Sequence, residues 1–135
     1  MDGITLTPLK QIKHPIGDIY HAIKKSDKDF SGFGEAYFST IKKGSIKGWK
    51  KHTEMVLNLI VPLGEIEFVI YNKDLEKFYC VHLSQKNYQR LTIEPGLWVS
   101  FRGHDKYNML LNVASIEHDT AEAISCKINA IRYDW

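Results

Sequence analysis

A lysine and a histidine separated by one residue occupy a basic stretch, KKGSIKGWKKH, that leads into the apolar run MVLNLIV. Alternate residues of a β-strand face the same side, so Lys50 and His52 are predicted to share one face of a strand. Lys47 and Trp49 are predicted to lie on the other face. In an apolar cavity, an imidazole can accept a proton and an ammonium can stabilise an enolate. The alternative is a solvated Lys50 at a rim and a hydrogen-bonded His52 in the interior.

Other polar and aromatic residues could complete such a site. Asn58 interrupts the apolar run and is predicted either to contact a ligand or to satisfy backbone groups. Tyr37 and Tyr71 each offer a phenol as an acid or a stacking surface, with core packing as the alternative. Trp98, in the corner EPGLW, is a candidate for substrate binding.

The elements that must position these residues are almost all strands. Nine segments rich in β-branched and aromatic residues are predicted to be strands, separated by turn residues. They are Gly17–Ile23, Glu35–Ile41, Met55–Val61, Glu65–Tyr71, Lys77–Leu83, Tyr88–Ile93, Leu97–Phe101, Asn108–Ser115 and Lys127–Tyr133. The one helix candidate is Asp119–Ile124, with Asp119 as N-cap. Many short strands with tight connections favour a single all-β domain over residues 1–135, most simply a jelly roll.

The composition excludes several classes of protein. The net charge of +2 gives no indication of a nucleic-acid partner, and the longest apolar run is too short to cross a membrane. Cys80 and Cys126 form no CxxC pair, and no signal peptide precedes them, so we expect two buried free thiols and a cytoplasmic protein.

The glycine and proline pattern resembles that of the cupins, a jelly-roll class that often holds a metal on three histidines and a glutamate. Three of these four ligand positions fall here on Lys50, Leu57 and Val99, which leaves only His52. A metal needs three or four converging ligands. The sequence therefore predicts no metal and no other cofactor.

A closer resemblance is carried by four stretches in order: EAYFSTIKKGSIKGWKKH, NLIVPLGEIEFVIYN, VHLSQKNYQRLTIEPGLWVSF and IEHDTAEA. Together they resemble the dTDP-4-dehydrorhamnose 3,5-epimerase family of RmlC-like cupins, over most of the chain. The resemblance implies a metal-free homodimer that acts on nucleotide sugars.

The chain departs from that family at several positions of the site. Lys47 stands where the family has a phosphate-binding arginine, Lys50 where it has the base histidine, and Val99 where it has a second histidine. The family's catalytic tyrosine has no clear counterpart. The stretch His118–Glu122 occupies the place of the family motif Y-D-P-x-x-E, which makes His118 a further catalytic candidate.

Together these features predict an isomerase in surface-polysaccharide biosynthesis that acts on a nucleotide-linked 4-keto-6-deoxy sugar. In this hypothesis His52 and Lys50 are the base and the enolate stabiliser. The acid comes from among Tyr37, Tyr71 and His118. Two alternatives stay open: a sugar- or sugar-nucleotide-binding module without chemistry, and a 3,4-ketoisomerase.

Overall fold

In a computed structural model that describes residues 2–135, the chain forms two antiparallel five-stranded sheets. The strands are β1 (Ile4–Pro8), β2 (Gln11–Ile12), β3 (Ile19–Tyr20), β4 (Glu35–Lys42), β5 (Ile46–His52), β6 (Leu57–Leu63), β7 (Glu65–Asn72), β8 (Lys77–Ser84), β9 (Gln89–Ile93), β10 (Trp98–Gly103), β11 (Tyr107–Ala114) and β12 (Ala123–Ser125). A 3-10 turn, Ile128–Ala130, is the one helical element of these residues, and none of their helices is long and apolar enough to cross a membrane.

Successive strands from β4 to β12 change sheet at each step except between β7 and β8, which form a hairpin in one sheet. Sheet 1 has the order β1-β9-β6-β11-β4, sheet 2 has the order β12-β5-β10-β7-β8, and β2 and β3 form a small separate hairpin. The predicted all-β architecture is therefore confirmed. The main core lies between the sheets, where inward residues of β6 such as Leu57 and Leu59 meet Phe68 and Ile70 of β7.

The central strands β6 and β7 are buried on both faces, which explains their nearly continuous apolar sequences. On the outer face of sheet 1, Ile60 and Tyr88 pack against residues of the N-terminal segment, including Tyr20. The fully buried Arg90 holds this segment in place. Its guanidinium donates to the Ala22 carbonyl at 2.8 Å and to Asp29 Oδ2 at 3.0 Å.

The outer face of sheet 2 is covered by the C-terminal segment. The indole of Trp49, 1% exposed, donates from Nε1 to the Ile128 carbonyl at 3.1 Å and packs near Trp135. Residues Lys127–Tyr133 form no strand, so that prediction was wrong: the segment covers the sheet without joining its hydrogen-bond ladder.

Two further predictions differ from the structure. The predicted helix Asp119–Ile124 is not formed: Asp119–Glu122 make a turn in which the Ala121 N–H donates to the Asp119 carboxylate, and Ala123 and Ile124 belong to β12. The cysteines are free, but Cys80 is exposed and Cys126 is half-buried, so the expectation of buried thiols was wrong.

A β-bulge in β5 sets the direction of the basic residues. Opposite β10, Val99 pairs with Lys50 and Phe101 pairs with Lys47, so three steps along β5 match two along β10. A bulge inserts one residue and breaks the alternation of side chains. The prediction that Lys47 lies on the face opposite Lys50 was therefore wrong.

Candidate active site

A cavity of about 260 Å³ lies between the two sheets. Its polar lining comes from Tyr37, Ser39, Lys47, Lys50, His52 and Asn112. Its apolar lining comes from Leu57, Leu59, Phe68, Val99, Phe101 and Leu110. A small, largely apolar cavity with a few polar groups is typical of a site that binds and orients a small molecule.

The residue best placed for proton transfer is His52, at the end of β5. Its Nδ1 lies 2.6 Å from Glu122 Oε1, and both side chains are nearly inaccessible to solvent, at 9% and 1% exposure. Glu122 stands directly before β12, and β12 pairs with β5 through Ala123 and His52. Strand pairing therefore brings together two residues that are 70 positions apart in the sequence.

Glu122 is held as a carboxylate. Burial alone would raise its pKa, but the backbone N–H of Glu54, the His52 ring and the backbone N–H of Met55 together lower the pKa to about 2. An ionised carboxylate can only accept hydrogen bonds, so the proton of a neutral His52 ring lies on Nδ1. Nε2 then carries the lone pair, as a general base in the cavity requires.

A second oriented group comes from the opposite sheet. Tyr37 of β4 accepts a hydrogen bond at its hydroxyl from Asn112 Nδ2 at 3.0 Å. Asn112 Oδ1 in turn accepts from the backbone N–H of Asn58 at 3.1 Å, which fixes the orientation of the amide. Because the Tyr37 oxygen is the acceptor in this contact, its own proton is available for donation to a ligand.

Lys47 and Lys50 line the same cavity, but both are exposed. Lys50 therefore lies at the solvated rim and not in the apolar interior, where the sequence had suggested an ammonium. The Lys47 ammonium lies 5.6 Å from the centre of the Phe101 ring. Both cations are positioned to meet a negatively charged ligand at the entrance.

Four of the eight predicted site residues, Tyr37, Lys47, Lys50 and His52, lie together in the cavity. The structure places the other four elsewhere. The Asn58 side chain accepts a hydrogen bond from Thr92 at 2.7 Å, and Asn58 is 1% exposed; it satisfies polar groups inside the protein and does not line the cavity.

Tyr71 and Trp98 lie together in a groove beneath the C-terminal segment, away from the cavity. There Tyr71 stacks on Phe78, and Lys51 lies over the Trp98 ring. His118 is exposed, and its backbone N–H bonds the side chain of Glu35.

The sequence did not identify the residues that orient His52 and Tyr37. In the sequence, Glu122 stands out only as the last residue of the stretch that occupies the place of the family motif Y-D-P-x-x-E. Asn112 had no signal apart from being a polar residue in the apolar strand NMLLNVA.

The cavity does not offer a metal site of the cupin type. Of the residues that line it, only His52 belongs to the types that usually ligate transition metals. A structural or catalytic metal needs at least three such ligands. The absence of a metal from the reaction stays a prediction.

Two antiparallel sheets that enclose a cavity lined by side chains of both sheets are the architecture of a cupin jelly roll. No model of a known protein family matches the sequence, and no curated protein does. Solved structures do match. A dTDP sugar isomerase from Desulfovibrio desulfuricans G20 is 30% identical, with a TM-score of 0.91 over 96% of this chain and 87% of that one.

Two more distant structures share the fold. The sugar 3,4-ketoisomerase QdtA from Thermoanaerobacterium thermosaccharolyticum, in complex with TDP, is 22% identical, with a TM-score of 0.79 over 90% of this chain and 87% of its own. RmlC from Legionella pneumophila Philadelphia 1, in complex with dTDP-4-keto-L-rhamnose, is 17% identical, with a TM-score of 0.78 over 93% of this chain and 73% of its own.

The chain therefore belongs to the RmlC-like family of dTDP-sugar isomerases and epimerases, as a short and divergent member. This confirms the resemblance found in the sequence and the predicted cupin fold.

Proposed function

We propose that the protein is an isomerase that acts on a dTDP-linked 4-keto-6-deoxy sugar by cofactor-free acid–base chemistry of the 3,5-epimerase type. One observation carries this proposal: the oriented His52 and Tyr37 project into one cavity from different sheets. An epimerase must remove a proton from one face of a carbon and return one to the other face. Groups on opposite walls of a cavity suit that requirement.

The reaction starts with the ketone at C4, which acidifies the hydrogens on C3 and C5. His52 Nε2 takes one of these protons, and the electron pair moves into the carbonyl to give an enolate. The Lys50 ammonium stabilises the developing negative charge on the enolate oxygen. Tyr37 then delivers its proton to the carbon from the other face and regains one from solvent, while His52 releases its proton.

Glu122 acts through His52. Its ionised carboxylate holds the ring in the tautomer that presents Nε2 to the substrate, and it stabilises the imidazolium that forms. A module that only binds sugars has no need of a buried carboxylate that fixes the tautomer of a histidine. This pair of residues is therefore the main reason to prefer an enzyme over the binding-module alternative.

The size of the cavity suggests how the substrate is divided. A volume of about 260 Å³ lies just below the ~300–1,000 Å³ of typical small-molecule sites, so it suits one sugar ring and not a whole nucleotide sugar. The diphosphate then lies at the entrance beside the exposed Lys47, while Lys50 faces the sugar ring. We further propose a cytoplasmic homodimer that supplies surface-polysaccharide synthesis.

A second candidate is a 3,4-ketoisomerase, which moves the carbonyl from C4 to C3 through the same enolate. The length of the chain favours this candidate: the match covers 87% of the isomerase and of the ketoisomerase QdtA, but 73% of RmlC. Proton removal by His52 is common to both reactions.

The two reactions can be separated in a single experiment. The protein is incubated with dTDP-4-keto-6-deoxyglucose in heavy water and followed by NMR. Deuterium entry at C3 or C5 with inversion indicates an epimerase, whereas a carbonyl resonance at C3 indicates a ketoisomerase. No exchange with 4-keto sugars on dTDP or GDP would refute the proposal and favour a binding module. His52→Ala should remove the activity, and His21→Ala, at an exposed histidine outside the cavity, is the matched control.

A further inference from the structure

A second cluster of ionisable side chains lies on the outer face of sheet 2, away from the cavity. Register places Glu67 of β7 between His82 of β8 and Arg102 of β10. His104 follows two residues after Arg102 and lies against the same carboxylate. Three adjacent strands therefore bring two imidazoles and one carboxylate to a single point.

The donor atoms of this cluster are close together. The nearest ligand atoms of Glu67, His82 and His104 all lie within 4.8 Å of one another. His104 Nε2 is 2.6 Å from Glu67 Oε1, and His82 Nε2 is 4.0 Å from Glu67 Oε2. The carboxylate is 7% exposed, while the two imidazoles are 32% and 48% exposed, so the cluster has a buried base and an opening to solvent.

Hydrogen bonds occupy one oxygen of the Glu67 carboxylate and leave the other nearly free. His104 Nε2 and the Arg102 guanidinium both contact Oε1. The Arg102 guanidinium bonds Oε1 at 2.9 Å, whereas Oε2 receives only the weak hydrogen bond of the Cys80 thiol at 3.4 Å. Oε2 therefore remains available to another cation.

We propose that Glu67, His82 and His104 form a binding site for a divalent transition-metal ion, with Zn²⁺ as the best match. Two imidazoles and one carboxylate are a donor set that suits Zn²⁺ and its neighbours and not Mg²⁺ or Ca²⁺. Binding requires His104 Nε2 to give up its hydrogen bond to Glu67 and to turn its lone pair to the ion, while His82 keeps the contact of its Nδ1 with Glu65. A water molecule completes the coordination.

Charge around the cluster favours a cation when the histidines are neutral. Glu65 bonds His82 Nδ1 at 3.2 Å, so two carboxylates and one guanidinium face the imidazoles and leave one net negative charge. The bond from Glu65 to Nδ1 also leaves Nε2 of His82 as its metal-binding nitrogen. A carboxylate that holds the second nitrogen of a ligating histidine is a common outer partner at metal sites.

This site is separate from the metal position of cupins, which lies between the sheets and at which the sequence predicts no metal. Here the donors lie on the opposite face of sheet 2 and come from β7, β8 and the residue that follows β10. Occupation would cross-link three neighbouring strands next to Phe68 and Phe101, which line the cavity from the inner face.

The test is titration of the metal-free, untagged protein with Co²⁺, whose visible absorption reports its ligands, followed by displacement with Zn²⁺. We expect one ion per chain and a rise in Tm on addition of Zn²⁺. Each of His82→Ala and His104→Ala should weaken binding by at least about a hundredfold, since changes even to outer partners cost 10–100-fold. His14→Ala and His21→Ala, at exposed histidines far from the cluster along the chain, should bind as the wild type does.

His52→Ala separates this site from the cavity. Retention of the Co²⁺ spectrum in that variant, with its loss in His82→Ala, supports the proposal. Loss in His52→Ala with retention in His82→Ala places the ion in the cavity and overturns it. Absence of Co²⁺ absorption and of a Zn²⁺-dependent Tm shift in the wild type also overturns it. Thermal unfolding without metal shows whether each variant is folded.

Discussion

Replacement of Glu122 by glutamine tests whether this carboxylate orients His52, the proposed base. Glutamine has nearly the same shape, and its amide oxygen can still accept from the backbone N–H groups of Glu54 and Met55. Its NH₂ group then points at His52 Nδ1 and donates to it. The ring must therefore carry its proton on Nε2, and it can no longer accept one from the substrate.

The expected loss of rate follows from this change of tautomer. A positioned general base is worth about 10²–10⁴ in rate, which corresponds to ~2.7–5.4 kcal/mol of barrier. We expect Glu122→Gln to slow deuterium exchange into the 4-keto sugar within that range, with much less effect on KM, because Glu122 does not itself line the cavity.

The same substitution has a second, independent consequence for stability. The pKa of Glu122 falls from an ordinary 4.5 to about 2, which corresponds to about 3 kcal/mol at 1.36 kcal/mol per tenfold change. Because the pKa is lowered on folding, this contribution is complete well above pH 4.5 and is lost as the pH falls towards 2. The free energy of unfolding of the wild type should exceed that of Glu122→Gln by up to about 3 kcal/mol at pH 7, and by roughly half as much at pH 3.

Urea unfolding at the two pH values measures the stability difference, and NMR exchange measures the rate. Glu117→Gln, at an exposed neighbouring carboxylate, is the matched control and should change neither. If folded Glu122→Gln exchanges deuterium at the rate of the wild type, Glu122 does not orient the base. If the difference in stability does not change with pH, the pKa of Glu122 is not lowered.

Three further substitutions test the acid, the phosphate site and the N-terminal segment. Tyr37→Phe should lower the rate of product formation by at least about 10², while deuterium exchange at the carbon that His52 deprotonates continues. Equal loss of both rates, or a loss in the control Tyr107→Phe, would contradict the assignment. Lys47→Ala should weaken dTDP binding and reduce its salt dependence in calorimetry, and unchanged affinity would place the diphosphate elsewhere. Arg90→Leu leaves the half-buried carboxylates of Asp27 and Asp29 without their partner and should lower the free energy of unfolding in urea by about 1–3 kcal/mol; a loss of less than 1 kcal/mol would show that these bonds contribute little.

Most strands were predictable because their composition and their bounding turns are local properties of the sequence. β4, β7 and β8 begin where the sequence predicts, and each ends one residue later. The prediction of a strand at Lys127–Tyr133 was wrong because the apolar residues of this segment are needed for packing and not for strand pairing. They pack against side chains of sheet 2, and the backbone has no partner strand.

The candidate site was only half predictable because its geometry depends on contacts between distant parts of the chain. His52 and Lys50 follow from alternation within one strand. Lys47 joins them because of a bulge that depends on pairing with β10. Glu122 joins because β12 pairs with β5, and no local pattern in the sequence records that pairing.

The proposed base belongs to one sheet and the proposed acid to the other, and the distance between the sheets is set by the residues packed between them. Phe68 from sheet 2 and Leu59 from sheet 1 both line the cavity and belong to the main core. The core therefore acts as a spacer between the two proton-transfer groups. A change in side-chain volume at these positions would change which sugar carbon lies between the two groups. Substitutions in the core can therefore alter substrate specificity among relatives that keep every polar group of the cavity.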